Sequence, residues 1–95
     1  MAQQRLNAFV RGRVQGVGFR WWTRARALEL GLVGYARNLE DGRVEVMAQG
    51  ETADLDTLVR LLQEVPSTAR RPGRVVGVVS QWSQPRPGVT GFEER

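Results

Sequence analysis

Three glycines precede an arginine in the segment Gly12-Arg13-Val14-Gln15-Gly16-Val17-Gly18-Phe19-Arg20, which stands between an alternating, strand-like run and a helix-like run. Glycines let successive backbone N–H groups turn toward one point because no Cβ interferes. A helix that follows adds its unpaired first amides and the positive end of its dipole. Arg20, at the start of that helix, can give a phosphate two parallel charge-assisted hydrogen bonds. The segment therefore predicts an anion-binding loop.

The spacing of this segment does not by itself decide its role. It matches neither the dinucleotide-binding pattern G-x-G-x-x-G nor a Walker loop, because the chain has no lysine to follow the last glycine. A glycine-rich strand-to-helix turn, with Arg20 as an ordinary residue of the first helical turn, explains the same letters. From spacing alone both interpretations stay open.

Regular structure is predicted on both sides of the loop. Residues 5–11 alternate, with Leu6, Ala8 and Val10 on one face, as is typical of a strand buried on one side. Residues 19–30 have the apolar period of a helix, and Gly31 is a natural C′ residue to end it.

A hairpin is predicted next in the chain. Residues 33–39 and 43–48 alternate on either side of Asp41-Gly42, which is a tight-turn dipeptide. In the second of these strands Val44, Val46 and Ala48 share a face, which matches the apolar face of the first strand.

The last third of the chain predicts a second helix and two strands. Thr52 is a candidate N-cap for a helix that Pro66 stops. The core stripe of this helix consists of Leu55, Leu58, Val59 and Leu62. Residues 75–82 then form a fourth strand, and residues 89–93 a short fifth strand at an edge.

The order of elements is therefore β-α-β-β-α-β with a short extra edge strand. Strands joined by a helix run parallel, and a hairpin partner runs the other way. This predicts an α+β sandwich in which both helices lie on one face of a mixed, mostly antiparallel sheet. Ninety-five residues leave room for a single domain, over residues 1–95.

Composition removes several kinds of chemistry. Histidine, cysteine and lysine are absent, so a Ser–His pair, a cysteine nucleophile, a Schiff base and a zinc cluster are excluded. All 14 basic residues are arginine against ten acids, and the net charge of +4 favours anionic partners. We expect neither a metal nor a cofactor.

The sequence also bears on where the protein works. No apolar run approaches the length that crosses a bilayer, and residues 1–5 lack the apolar region of a signal peptide. We therefore predict a cytoplasmic protein with no membrane partner. Nothing in the sequence demands a second chain, so a monomer is predicted.

The motifs resemble those of the acylphosphatases. The likeness is carried by G-x-V-Q-G-V-x-F-R ending at Arg20, by Gly31-Leu32-Val33-Gly34, by the run from Asn38 to Glu45, and by Gly91-Phe92-Glu93. It spans nearly the whole chain and implies a ferredoxin-like fold. It also implies that Arg20 binds the phosphate and that Asn38 orients the attacking water. The backbone amides of Gln15, Gly16, Val17, Gly18 and Phe19 would complete the phosphate site.

Topology and chemistry are in line with this resemblance. If the first two predicted strands are parallel, the loop and Asn38 leave the sheet at the same edge. Phosphoryl transfer needs mainly positioning and charge stabilisation, and a carboxylate leaving group departs without a proton. We therefore predict hydrolysis of a small-molecule acyl phosphate to a carboxylate and inorganic phosphate.

Two other functions share this topology. A non-catalytic anion-binding module would have the same pocket without turnover. An RNA-binding module of the RRM type would stack bases on aromatic residues of its first and third strands. Here the third strand has none and the first has only Phe9, so we predict no nucleic-acid partner.

Weaker site candidates have ordinary structural explanations. Glu40 and Asp41 could hold Mg²⁺, but a hairpin turn explains Asp41 without a metal. Thr23 lacks a base to activate it, so we expect it to pack, with a hydrogen bond that ties the helix to a strand. Trp21 and Trp22 point about 100° apart on a helix, so we expect one of them to be half exposed.

Overall fold

A computed structural model describes residues 2–95 of the chain and confirms the predicted order of elements. The strands and helices are β1 (Gln3–Arg13), α1 (Phe19–Glu29), β2 (Val33–Asn38), β3 (Val44–Glu51), α2 (Thr52–Gln63), β4 (Arg74–Ser83) and β5 (Phe92–Glu94).

The five strands form one sheet in the order β4-β1-β3-β2-β5. Strands β1 and β2 each pair antiparallel with β3, so they point the same way although they are not neighbours. Strand β5 is parallel to β2 at one edge. The predicted α+β, ferredoxin-like class with a mixed, mostly antiparallel sheet is confirmed, and the carboxyl ends of β1 and β2 meet at one edge of the sheet.

The core lies between this sheet and the two helices. Leu6 pairs with Ala48, Ala8 with Val46 and Val10 with Val44, so the two predicted apolar faces lie side by side. All six side chains are fully buried. Both helices add buried side chains to the same cluster, and the members from α2 are Leu55, Leu58 and Leu62. Each fully buried leucine contributes about 1.5–3 kcal/mol relative to an exposed one.

The helix ends bear out one prediction and correct another. Gly31 has φ 71°, and the N–H groups of Gly31 and Leu32 donate to the carbonyls of Leu28 and Ala27, which closes α1 as a Schellman motif. Thr52 is not the cap of α2, because the cap position is Glu51 and Thr52 is the first helical residue. The Thr52 hydroxyl instead donates to Gln4 Oε1 at 2.9 Å, which joins α2 to β1.

The second face of the sheet is partly covered by the segment between β4 and β5. The backbone N–H of Arg86 donates to Gln49 Oε1, and Gln49 Nε2 donates back to the Arg86 carbonyl, both at 3.0 Å. Met47, on the same face of central strand β3, is only 3% exposed. Most of β3 is therefore buried on both faces.

Within residues 2–95, neither helix is long and apolar enough to span a membrane.

Candidate active site

The loop between β1 and α1 contains left-handed residues, as many anion-binding loops do. Gly16 and Gly18 have φ angles of 72° and 86°, whereas Val17 between them does not have a positive φ. Left-handed residues next to residues with negative φ can turn consecutive N–H groups toward a common centre. Gly16 and Gly18 are therefore glycine because the loop requires a conformation that other residues rarely adopt.

The amides of this loop are free to bind a ligand. Among the described residues, the N–H groups of Gln15, Gly16, Val17, Gly18 and Phe19 donate to no protein acceptor. The first hydrogen bond of α1 runs from the Trp22 N–H to the Gly18 carbonyl, at 3.0 Å. The loop and the helix start together present a run of unpaired donors at the positive end of a helix dipole.

Gly12 has a different function from the other two glycines of the segment. It lies within β1, opposite Val75, where the register between β1 and β4 shifts. A Cβ at Gly12 would lie 2.1 Å from the Arg74 carbonyl oxygen. Gly12 is thus required for the close approach of β4 and is not part of the anion-binding loop.

The fold brings Arg20 and Asn38 together through the main chain of Arg95. Arg20 Nη1 donates to the main-chain oxygen of Arg95 at 2.6 Å. The N–H of Asn38, the last residue of β2, donates to the same oxygen at 3.4 Å, and the Arg95 N–H donates to the Ala36 carbonyl at 2.7 Å. Both predicted catalytic residues therefore lie within hydrogen-bonding distance of one atom at the edge of the sheet where β1 ends.

The Asn38 side chain is exposed and, within residues 2–95, forms no hydrogen bond of its own. The turn after it is shaped by Asp41, whose Oδ1 accepts from the Arg43 N–H at 3.1 Å and whose Oδ2 accepts from Arg43 Nε at 2.8 Å. The bond from the Arg43 N–H is the main reason that the pKa of Asp41 lies below its usual value of 3.8. The turn does not need an Asx bond from Asn38, so this carboxamide is available to solvent or substrate.

Asp41 therefore has the structural role in the turn that the sequence predicts. Among the described residues there is no group of three or more acidic side chains that could hold a metal ion.

Two contacts at this site were not predicted from sequence. The Gln15 carboxamide Nε2 donates to the carbonyls of Leu39, at 2.8 Å, and Arg43, at 3.0 Å, across the sheet edge. From the sequence, only the Gln15 backbone amide was predicted to take part in the site, although a carboxamide next to a loop glycine is itself a signal. The Arg95 contact had no signal, because a main-chain oxygen carries no side-chain identity.

Thr23 and Trp22 of α1 are buried, whereas Trp21 is exposed. Thr23 is fully buried, so its packing role is confirmed, but its hydroxyl has no hydrogen-bond partner among residues 2–95, so the predicted hydrogen bond is wrong. Trp22 is 3% exposed and Trp21 is 63% exposed, beside the loop. One ring is thus exposed, as expected.

The chain is thus a small ferredoxin-like sandwich with unpaired loop amides, an arginine and an asparagine at one edge of its sheet. A family model described as Acylphosphatase matches residues 6–94. An acylphosphatase of Thermobifida fusca (strain YX) is 58% identical over 95 residues, which are 100% of each chain. One of Acidothermus cellulolyticus is 60% identical over 92 residues, which are 97% of this chain and 87% of that protein.

Solved structures lead to the same class. The crystal structure of acylphosphatase from Bacillus subtilis matches with a TM-score of 0.82 and 28% identity, covering 97% of this chain and 98% of that one. The chain therefore belongs to the acylphosphatase family. The sequence-based prediction of an acylphosphatase hydrolase is confirmed.

Proposed function

We propose that the loop amides of residues 15–19 and the Arg20 guanidinium bind the phosphate of an acyl phosphate, while the Asn38 carboxamide orients the attacking water. The observation that carries this assignment is that Arg20 and the Asn38 N–H both donate to the Arg95 oxygen, while the five unpaired amides directly precede Arg20 in the chain. The guanidinium has five N–H donors, so its contact with Arg95 leaves others for a phosphate.

The reaction needs no titrating base near neutral pH. Water attacks phosphorus, the bond from phosphorus to the acyl oxygen breaks, and a carboxylate leaves without needing a proton. A phosphate oxygen accepts the proton released by the water. The protein contributes positioning together with hydrogen bonds to the equatorial oxygens, which is the usual division of labour in phosphoryl transfer.

Kinetics with benzoyl phosphate test the roles of the two side chains. Arg20→Ala is expected to lose phosphate binding and turnover together. Asn38→Ala is expected to keep the inhibition constant of inorganic phosphate and to lose about 3 kcal/mol of transition-state stabilisation, mostly in kcat. Equal losses of affinity and rate in Asn38→Ala would contradict the assignment of Asn38.

Arg24→Ala is a matched control for Arg20→Ala. Arg24 lies one turn further along α1, and its Nε donates to the main-chain oxygen of Phe92 at 2.9 Å. Both arginines therefore contact a main-chain oxygen in or just after β5, but Arg24 lies farther from the loop. Arg24→Ala should retain turnover, and similar kinetics for the two variants would refute the role of Arg20.

RNA binding is the alternative from another class, and the covered sheet argues against it. An RRM leaves the middle of its sheet open for bases. Here Met47 in β3 is buried, and Arg86 of the crossing segment bonds to Gln49. Tight binding of RNA to a filter at moderate salt would revive this alternative.

We also propose that the enzyme is monomeric and cytoplasmic. Residues 1–95 act as one domain on a small-molecule substrate. All the proposed groups come from one chain, which supports a site that needs no partner. Sedimentation of the active protein as a dimer would contradict it.

A further inference from the structure

The Gln15 side chain links the anion-binding loop to the turn that follows Asn38. Its Nε2 donates one hydrogen to the Leu39 carbonyl at 2.8 Å and the other to the Arg43 carbonyl at 3.0 Å. Both hydrogens of one carboxamide nitrogen are thus used on a single turn. The backbone N–H of the same residue belongs to the anion-binding loop, so Gln15 joins the two halves of the site.

Each of the two carbonyls also accepts one bond within the turn itself. The Leu39 oxygen accepts from the Gly42 N–H at 3.2 Å, and the Arg43 oxygen accepts from the Leu39 N–H at 2.8 Å. A carbonyl oxygen has two lone pairs, so Gln15 fills the second acceptor position of both. The turn keeps its own bonds without Gln15, and loss of the side chain should therefore shift the turn rather than unfold it.

Asn38 depends on its main chain for its position. Its carboxamide forms no hydrogen bond within residues 2–95, and its N–H is held by the Arg95 oxygen at 3.4 Å. On its other side, the next residue is Leu39, whose carbonyl Gln15 holds. The Asn38 backbone is therefore held from both sides, and one of the two restraints comes from the loop that binds the phosphate.

We propose that the Gln15 side chain is a positioning residue that fixes Asn38 relative to the bound phosphate. This inference rests on the proposed water-orienting role of Asn38. A misplacement of about 1 Å at a reacting centre can cost about 100-fold in rate, so a restraint of this kind acts on kcat. In this proposal phosphate affinity is set by the loop amides and Arg20, and a change of the Gln15 side chain removes none of these groups.

The first experiment separates rate from affinity with an isosteric, neutral change. Gln15→Met keeps the length of the side chain but removes both donors. It should lower kcat for benzoyl phosphate about tenfold to 100-fold while the inhibition constant of inorganic phosphate stays within about threefold of wild type. Gln63→Met, at an exposed position at the end of α2, is the matched control and should leave both unchanged.

Gln15→Asn is a second variant that guards against a folding defect. It keeps the carboxamide but shortens the side chain by one methylene, so the nitrogen no longer reaches both carbonyls. It should also lower kcat at unchanged phosphate affinity. Thermal melts of each variant establish that the kinetics are measured on folded protein.

The second experiment is a double-mutant cycle. It measures the coupling between Gln15 and Asn38 in kcat, which a role in stability alone would not produce. In an Asn38→Ala background, Gln15→Met should cost less than about twofold in kcat, because the residue that it positions is gone. Costs that add in full would overturn the proposal. So would wild-type kcat in Gln15→Met, or a loss of phosphate affinity in step with kcat.

These outcomes are distinct from a failure of the proposed function. If Asn38→Ala hydrolyses benzoyl phosphate at the wild-type rate, the water-orienting role is wrong, and the inference about Gln15 is overturned with it. If Asn38→Ala is slow and both Gln15 variants are fast, the inference about Gln15 alone is overturned.

Discussion

The two adjacent tryptophans offer a stability test in which one residue is the control for the other. Trp22 is 3% exposed, its ring centre lies 6.0 Å from that of Phe19, and its Nε1 donates to the Ala69 carbonyl at 2.7 Å. Trp21 is 63% exposed. The same chemical change, tryptophan to phenylalanine, should therefore have very different effects at these neighbouring positions.

The expected cost of Trp22→Phe follows from these contacts. Loss of the hydrogen bond to Ala69 removes about 1 kcal/mol, because the carbonyl is only partly buried and water can replace the donor. The smaller ring leaves a cavity against Phe19, which costs about 1–2 kcal/mol more. The sum, about 2–3 kcal/mol, lowers the melting temperature of a domain of this size by about 8 °C or more. Trp21→Phe should stay within about 0.5 kcal/mol of wild type.

Urea unfolding followed by far-ultraviolet circular dichroism measures this difference, because the signal does not depend on tryptophan fluorescence. The midpoint should fall for Trp22→Phe at an unchanged dependence of free energy on urea. Free energies of unfolding for the two variants that agree within about 0.5 kcal/mol would refute the idea that Trp22 fastens α1 to the loop before β4.

Three further outcomes follow from the structure. Gly34→Ala places a Cβ 1.9 Å from the Met47 carbonyl oxygen and should abolish folding, whereas Gly88→Ala, with open space around it, should cost only about 1–2 kcal/mol in urea unfolding. The Thr68 hydroxyl, and then its N–H, hold the pKa of Glu64 below its usual 4.5, so this stabilisation is present above about pH 4.5 and is lost as the pH falls through the lowered value. Thr68→Ala should thus lower the urea midpoint at pH 7 more than at about pH 3. Finally, with no histidine in the chain, kcat for benzoyl phosphate should change less than about twofold between about pH 6 and 8, and a bell-shaped profile there would reveal an unrecognised titrating group.

Much of the fold could be predicted because its signals are local. The alternation of Leu6, Ala8 and Val10 predicts a strand with one buried face, and all three side chains are fully buried. Gly31 predicts the end of a helix because a left-handed residue closes it. The boundaries that were missed, such as the start of β5 at Phe92, depend on which strand lies beside them, and no local pattern contains that information.

The loop itself is a property of the sequence, because positive φ at Gly16 and Gly18 is a local demand that glycine meets and other residues do not. The meeting of Arg20 with Asn38 is a property of the tertiary structure, since it requires β1 and β2 to end at the same edge and Arg95 to supply an oxygen there. The contact that Gln15 makes across the sheet edge also depends on the tertiary structure. Its acceptors are backbone carbonyls, which every residue has, so the sequence does not single them out. Residue identity thus determined which candidate anion-binding groups the chain has, and long-range strand pairing decided which of them lie close together.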